Sequence, residues 1–145
     1  MTHAQDKLYP ELFPLNDVQL LDGPFKHAQD LNRSVLLEYD VDRLLAPFLI
    51  EAGLEPKAEK FPNWPGLDGH VAGHYLSAMA MNYRAGGGEE FKRRMEYILS
   101  ELYRCQQANG DGYIGGIPNG KAGWKEIKKG NVGIIWKYCC LLYTS

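Results

Sequence analysis

The spacing of the apolar residues is the feature of this sequence that most constrains its fold. In one stretch after another these residues recur every three or four positions, which is the spacing of one face of an α-helix. The pattern predicts helices over about 24–39, 42–52, 68–85, 89–109 and 122–129. Only a short segment, Val18 to Leu21, resembles a strand. We therefore expect an all-α fold built from antiparallel helical hairpins.

Local signals indicate where the predicted helices begin and end. Pro24 suits the first turn of a helix, whereas Pro47 is expected to interrupt the second one. Asp68 is expected to cap the third helix, three glycines at 86–88 separate it from the fourth, and Gly110 ends the fourth. The apolar stripes that predict the core are Phe25, Ala28, Leu31, Val35, Leu36 and Tyr39, then Ala72, Tyr75, Leu76, Met79 and Tyr83, then Phe91, Met95, Ile98, Leu99 and Leu102.

Composition excludes several classes of protein. The 145 residues carry a formal net charge of -2 and 45% hydrophobic residues, which favours a globular domain over a disordered chain. No stretch approaches the roughly 20 apolar residues of a membrane-spanning helix, and no basic stripe suggests a nucleic-acid partner. Three cysteines form no disulfide framework. The N-terminus lacks the pattern of a signal peptide, so we expect a cytoplasmic location.

Asp68, His70 and His74 form the most suggestive polar cluster. The two histidines stand four positions apart on a predicted helix and therefore share one face. Position 71 is Val, so the glutamate of an HExxH metalloprotease is absent. The three side chains could bind a polyol through hydrogen bonds. Alternatively, Asp68 only caps the helix and the histidines pack in the core; a metal site is the third reading.

Aromatic residues in the loops offer further candidate contacts. Trp64 lies in a proline-rich loop and could stack on a sugar ring or simply anchor the loop. Tyr113 lies in a segment, 110–115, that matches GxGxxG literally. A helix rather than a strand precedes this segment, which argues against dinucleotide binding. A loop that presents Tyr113 to a cleft, or a turn that buries it, fits better. The pair Cys139 and Cys140 lacks further nearby metal ligands.

Five ordered blocks of sequence carry a resemblance to a known family. They read LLDGPFKHAQDLNR (20–33), YDVDRLLAPF (39–48), EAGLEPKAE (51–59), GLDGHVAGHYLSAMA (66–80) and RCQQANGDGYIGGIPNG (104–120). Together they resemble the N-terminal region of the β-L-arabinofuranosidase-like glycoside hydrolases of families 127 and 146, over about residues 12–137. No single motif in the chain is as specific as this ordered series.

The resemblance implies a partial (α/α)6 barrel of the six-hairpin glycosidase type. Because helices average about 11 residues, this chain can supply only part of such a barrel. We therefore expect residues 1–138 to be the N-terminal part of the catalytic domain and 139–145 to be an aberrant or truncated tail. The resemblance also implies a retaining hydrolase with a cysteine nucleophile beside a zinc ion. Those residues belong to later parts of the family's domain, and none can be placed on this sequence.

The expected function is thus that of an inactive fragment of a glycoside hydrolase acting on arabinose-containing plant glycans. Its expected substrate contacts are Trp64, Asp68, His70, His74 and Tyr113, with no catalytic residue and no metal ligand of its own. Zinc is expected in the complete enzyme. Two alternatives stay open: another helical-barrel carbohydrate enzyme, such as a lyase or epimerase, and a non-catalytic sugar-binding helical module.

Overall fold

The structure is a computed structural model that describes residues 11–62 and 68–133. Within these ranges the chain is helical and contains no strand, which confirms the all-α prediction. The helices are α1 (Pro24–Glu38), α2 (Val41–Glu51), α3 (His70–Arg84), α4 (Glu89–Asn109) and α5 (Gly120–Lys128), preceded by a 3-10 turn at Leu15–Asp17. None of these helices combines the length and the apolar character that crossing a membrane requires.

Helix α2 lies at the centre of the packing. Six consecutive residues from Leu44 to Leu49 are buried. Asp40 caps the helix, because its carboxylate accepts hydrogen bonds from the backbone N–H groups of Asp42 and Arg43 at 3.0 and 3.4 Å. The predicted interruption at Pro47 was wrong, since the helix runs through this residue. Tertiary burial of the whole segment offsets the loss of one backbone hydrogen bond.

Helices α3 and α4 pack against each other and against α2. The predicted stripes contribute to the α3 and α4 side of this core: Ala72, Tyr75 and Met79 from α3 and Phe91 and Ile98 from α4 are buried. Leu99, by contrast, is 56% exposed, so its assignment to the core was wrong. Helix α4 is 21 residues long. Only one face of α4 is buried, and Cys105 continues that face about two turns after Ile98.

The N-terminal segment differs from the sequence-based expectation. The predicted strand at Val18–Leu21 is absent, and both of these side chains are exposed. A strand needs a neighbouring strand to pair with, and the described residues offer none. Pro24 does begin α1 as predicted. Much of the apolar stripe of α1, however, lies at the surface: Phe25 and Leu31 are 78% and 58% exposed, whereas Leu36 is partly buried against the core.

Arg94 joins the end of α1 to α4. Its guanidinium donates hydrogen bonds to the carbonyl oxygens of Leu37 and Tyr39, at 2.7 and 3.1 Å, and to the carboxylate of Glu90 at 2.9 Å. It also donates to the hydroxyl of Tyr75 at 3.3 Å. The last carbonyl groups of a helix have no partner within the helix. Arg94 satisfies two carbonyls at this end, and so fixes where α1 turns into α2.

Two glycines bring a later loop to the start of α3. Gly69 precedes α3 with a φ of +84°, a left-handed conformation that favours glycine. A Cβ atom added to Gly69 would lie 3.0 Å from the Cα of Gly116 and 3.0 Å from the Cζ of Phe48. The loop 110–119 therefore touches the N-terminal end of α3 through backbone contact, and its Ile117 is buried beside it.

Candidate functional site

A large cleft lies between α1, α2 and the start of α3. Its volume is about 660 Å³, within the range of small-molecule sites. Its walls are Val35, Glu38, Tyr39, Asp40, Arg43, Leu44, Pro47, Phe61, Asp68, Gly69, His70, Val71 and Ala72. Of the five predicted substrate contacts, two lie here, Asp68 and His70. The cleft combines carboxylates, an imidazole and aromatic rings, which is the chemistry that sugar hydroxyls and ring faces require.

Asp68 is buried and does not cap α3. The residue preceding α3 is Gly69, and no side chain caps the helix there, so the capping prediction was wrong. The left-handed backbone of Gly69 turns the chain between the aspartate and the helix. The Asp68 side chain is 5% exposed and pairs with the ammonium group of Lys60 at 2.5 Å. The ion pair with Lys60 offsets part of the free-energy cost of removing the Asp68 carboxylate from water.

His70 and His74 stand one turn apart on α3. Their rings meet edge to face with centroids 5.1 Å apart. His70 is half-buried and lines the cleft, whereas His74 is exposed and lies outside its walls. The alternative in which both histidines pack in the core is therefore wrong for His74. Within this pair, only His70 can contact a molecule bound in the cleft through the wall that the structure describes.

Two aromatic side chains, Phe61 and Tyr39, also line the cleft. Phe61 and Tyr39 meet edge to face, with ring centroids 6.3 Å apart. The guanidinium of Arg43 stacks on Phe61 at 4.2 Å from its centroid and donates a hydrogen bond to the carbonyl of Glu59 at 3.0 Å. These contacts fix the loop that carries Phe61, so its ring is held in place before any ligand arrives.

A second set of contacts holds the same loop against α4. The ammonium group of Lys57 donates to the hydroxyl of Tyr97 at 2.9 Å and pairs with Glu101 at 3.0 Å. The Tyr97 hydroxyl in turn donates to the carboxylate of Asp42. Burial, with the hydrogen bond to Asp42, raises the pKa of Tyr97 above its ordinary value. These contacts attach the loop to α4 through Lys57 and to α2 through Phe61, which lines the cleft.

Tyr113 belongs to a different surface. It is half-buried, and its hydroxyl lies against the backbone of Gly115 and Gly120. Its backbone N–H donates to the carboxylate of Asp111 at 3.1 Å, which, together with a hydrogen bond from Lys121, lowers the pKa of Asp111. Tyr113 does not line the cleft of Asp68 and His70. Trp64, the fifth predicted contact, lies outside the described residues.

The described residues do not fit the zinc site that the resemblance implies. No three histidine, cysteine, aspartate or glutamate side chains in the ranges 11–62 and 68–133 lie close enough to hold a metal ion. Cys105 is buried among apolar residues, and this burial raises the pKa of its thiol and disfavours the thiolate that binds zinc. Cys139 and Cys140 lie outside the described residues.

The sequence did not predict two residues of the cleft, Phe61 and Arg43, or Lys60, the ion-pair partner of Asp68. None of these three residues stands in a local pattern that indicates a site. A lysine before an aromatic residue in a long loop occurs too often to indicate a site. Their roles follow from contacts between residues 8 to 18 positions apart, which no local pattern reveals.

Comparison with known protein families agrees with the helical architecture. Residues 17–140 match the family described as "Beta-L-arabinofuranosidase, GH127 catalytic domain". The chain belongs to this family. No curated protein matched the chain in a separate comparison. The matched range includes all five helices and every described residue of the cleft wall.

Membership in this family identifies the chain as glycoside hydrolase-like. A glycoside hydrolase domain of this kind implies a glycan as the class of substrate. The composition of the cleft agrees with this class, because a buried carboxylate and an imidazole lie close to two aromatic rings. The suspected relationship, which the five ordered sequence blocks indicated, is therefore confirmed at the level of the family.

Proposed function

We propose that this chain is the N-terminal part of the catalytic domain of a β-L-arabinofuranosidase that releases L-arabinofuranose from plant glycans. Asp68 and His70 orient the sugar ring for attack on its anomeric carbon. The observation that carries this proposal is the juxtaposition of the two residues in one cleft with Phe61 and Tyr39. A carboxylate and an imidazole form directional hydrogen bonds with sugar hydroxyl groups, and the aromatic rings pack against the C–H face of the sugar.

Positioning is the chemistry that these residues can supply. The Asp68 carboxylate is held by Lys60, so it accepts hydrogen bonds from sugar hydroxyls with its orientation already fixed. A fixed acceptor lowers the entropy cost of holding the ring in a reactive geometry. Neither Asp68 nor His70 is assigned a proton-transfer or nucleophilic step. The nucleophile, the acid/base and the zinc ligands are expected elsewhere in the domain, so we expect this chain alone to be inactive.

The surface of α1 supports the proposal that these helices are part of a larger barrel. Phe25, Leu31 and Val35 form a stripe that is 44–78% exposed, on a helix with no buried residue. Apolar stripes of this kind are covered in complete helical domains. Further hairpins of a six-hairpin barrel would cover this face.

Ligand binding to the cleft can be measured on this chain directly. Methyl β-L-arabinofuranoside is titrated into the isotopically labelled chain, and amide shifts near the start of α3 are followed by NMR. We expect His70→Ala and Asp68→Asn each to weaken binding by about 5- to 150-fold, because each removes one hydrogen-bonding group from a desolvated site at a cost of about 1–3 kcal/mol. His74→Ala is the matched control on the same helix, and its affinity should equal that of the wild type.

The outcomes separate the proposed site from its rivals. Loss of affinity in all three variants would indicate a general effect on α3, and unchanged affinity in Asp68→Asn and His70→Ala would end the cleft assignment. Hydrolysis of 4-nitrophenyl β-L-arabinofuranoside is then measured with a polypeptide that adds the remaining hairpins. Sugar binding without hydrolysis there would favour the non-catalytic binding module.

A further inference from the structure

A second groove lies on α5, separate from the cleft of Asp68 and His70. Its volume is about 500 Å³. Its walls are Asp111, Gly112, Tyr113, Lys121, Trp124, Lys125 and Lys128, and none of these residues lines the first cleft. We call this surface the basic groove. The family match and the function proposed above assign it no role.

The basic groove carries an excess of positive charge. Lys121 pairs with Asp111 at 3.2 Å, whereas Lys125 and Lys128 form no ion pair within the described ranges 11–62 and 68–133. The groove therefore has two uncompensated ammonium groups, although the whole chain has a formal net charge of -2. The helix dipole favours lysines in the last turn of α5, but it disfavours Lys121 in the first turn. Helix electrostatics alone therefore do not explain all three lysines.

The three lysines share one face of α5 with an aromatic residue. Lys121, Lys125 and Lys128 follow each other at intervals of four and three, and Trp124 lies three positions after the first. Tyr113 adds a second ring from the neighbouring loop, with the Lys121 ammonium 5.7 Å from its centroid. The Tyr113 ring is fixed because its hydroxyl is enclosed by glycine backbone. Both rings are half-buried, so each presents an exposed part to the groove.

We infer that the basic groove binds an acidic saccharide, a chain that contains uronic acid residues. Trp124 and Tyr113 pack against sugar C–H faces, and Lys125 and Lys128 bind carboxylates. The three lysines extend over about 10 Å along the helix axis, roughly the length of two sugar rings. A lysine ammonium suits such a ligand, because it is a compact, adjustable point charge. This inference is independent of the function proposed for the first cleft, since the two surfaces share no residue.

Calorimetric titration with tetragalacturonate tests the inference on the whole 145-residue chain. We expect binding in 50 mM salt that weakens as salt is raised, and no binding of a neutral tetrasaccharide such as maltotetraose. The double variant Lys125→Gln/Lys128→Gln should lose roughly tenfold in affinity. Lys26→Gln/Lys92→Gln removes the same charge from other helices and should bind like the wild type. In the wild type, the indole N–H signal of Trp124 should shift during the titration.

Four results would overturn the inference. The first is the absence of tetragalacturonate binding to the wild type. The second is an equal loss of affinity in the two double variants, which would indicate attraction to total charge rather than to the groove. The third is equal affinity for a short DNA duplex, which would indicate a general polyanion surface. The fourth is an indole N–H signal of Trp124 that does not shift when tetragalacturonate is added to the wild type. This result would refute the inference even if the double variant lost helicity.

Discussion

The close approach of Gly69 to Gly116 predicts that Gly69→Ala destabilises the start of α3. Replacing Gly69 with alanine has two separate costs. The residue would have to keep a φ of +84°, and its new Cβ would lie 3.0 Å from both the Gly116 backbone and the Phe48 ring. Two other glycines separate these costs. Gly53 has a φ of +70° and no atom within 4 Å of an added Cβ, so it carries only the backbone cost.

Gly116 carries only the steric cost. Its backbone is outside the left-handed region, and an added Cβ would meet the Cα of Gly69 and the Cβ of Pro47, each at 3.0 Å. The left-handed conformation costs an alanine about 1–2 kcal/mol, and overpacking against rigid neighbours costs about 1–3 kcal/mol. We therefore expect Gly53→Ala to lower the free energy of unfolding by about 1–2 kcal/mol, Gly116→Ala by about 1–3 kcal/mol, and Gly69→Ala by about 2–5 kcal/mol.

Urea unfolding followed by circular dichroism at 222 nm measures all three values. Thermal melts give a second measure, since each kcal/mol corresponds to about 2–4 °C in a chain of this size. Gly69→Ala should also move the amide signals of Asp68 and His70, which flank it. If Gly69→Ala were no more destabilised than Gly53→Ala, the close approach of loop 110–119 to α3 would be refuted. The assembly of the cleft would then need another explanation.

Two further predictions concern the arginines of α4. Arg94→Met should lower the free energy of unfolding by about 1–3 kcal/mol, because it leaves carbonyl groups at the end of α1 without a donor. Arg93→Met loses only an exposed ion pair and should destabilise the chain less. Equal free energies of unfolding for the two variants in urea would contradict this prediction. Hydrogen bonds from Arg93 and then Arg94 lower the pKa of Glu90 to about 2. A lowered pKa contributes stability that is present above the ordinary value of 4.5 and is lost as the pH falls towards 2. The melting temperatures of the wild type and Glu90→Gln should therefore differ above pH 5 and converge towards pH 2. A difference that does not change with pH would refute the lowered pKa of Glu90.

Most of the helical architecture could be predicted from the sequence, because its causes are local. Apolar spacing located α3 and α4, and Pro24 and Gly110 marked helix ends where the structure has them. Periodicity says which residues share a face, but it does not say whether another element covers that face. Phe25 and Leu31 lie in a helix as predicted but are exposed, and the same is true of Leu99 on α4.

The errors arise where tertiary contacts override a local signal. Pro47 was expected to break α2, but its neighbours on both sides are buried, and that burial keeps the helix continuous. Val18 to Leu21 have the composition of a strand and no strand to pair with in the described chain. Only some residues of the cleft could be chosen from the sequence. His70 was chosen for its spacing, whereas Phe61 reaches the cleft through contacts with Arg43 that are invisible in the local sequence.

Asp68 shows how one glycine changes the role of a carboxylate. An aspartate at the start of a helix uses its oxygens to accept backbone N–H groups, which leaves it little capacity for a ligand. Gly69, in its left-handed conformation, takes the capping position and turns Asp68 away from the helix. The carboxylate is then buried beside Lys60, which is eight residues earlier in the chain. Capping and cleft lining are alternatives for a single carboxylate here, and the backbone of Gly69, held against Gly116, decides between them. The loop 110–119 thus shapes the polar wall of the cleft although none of its residues lines it.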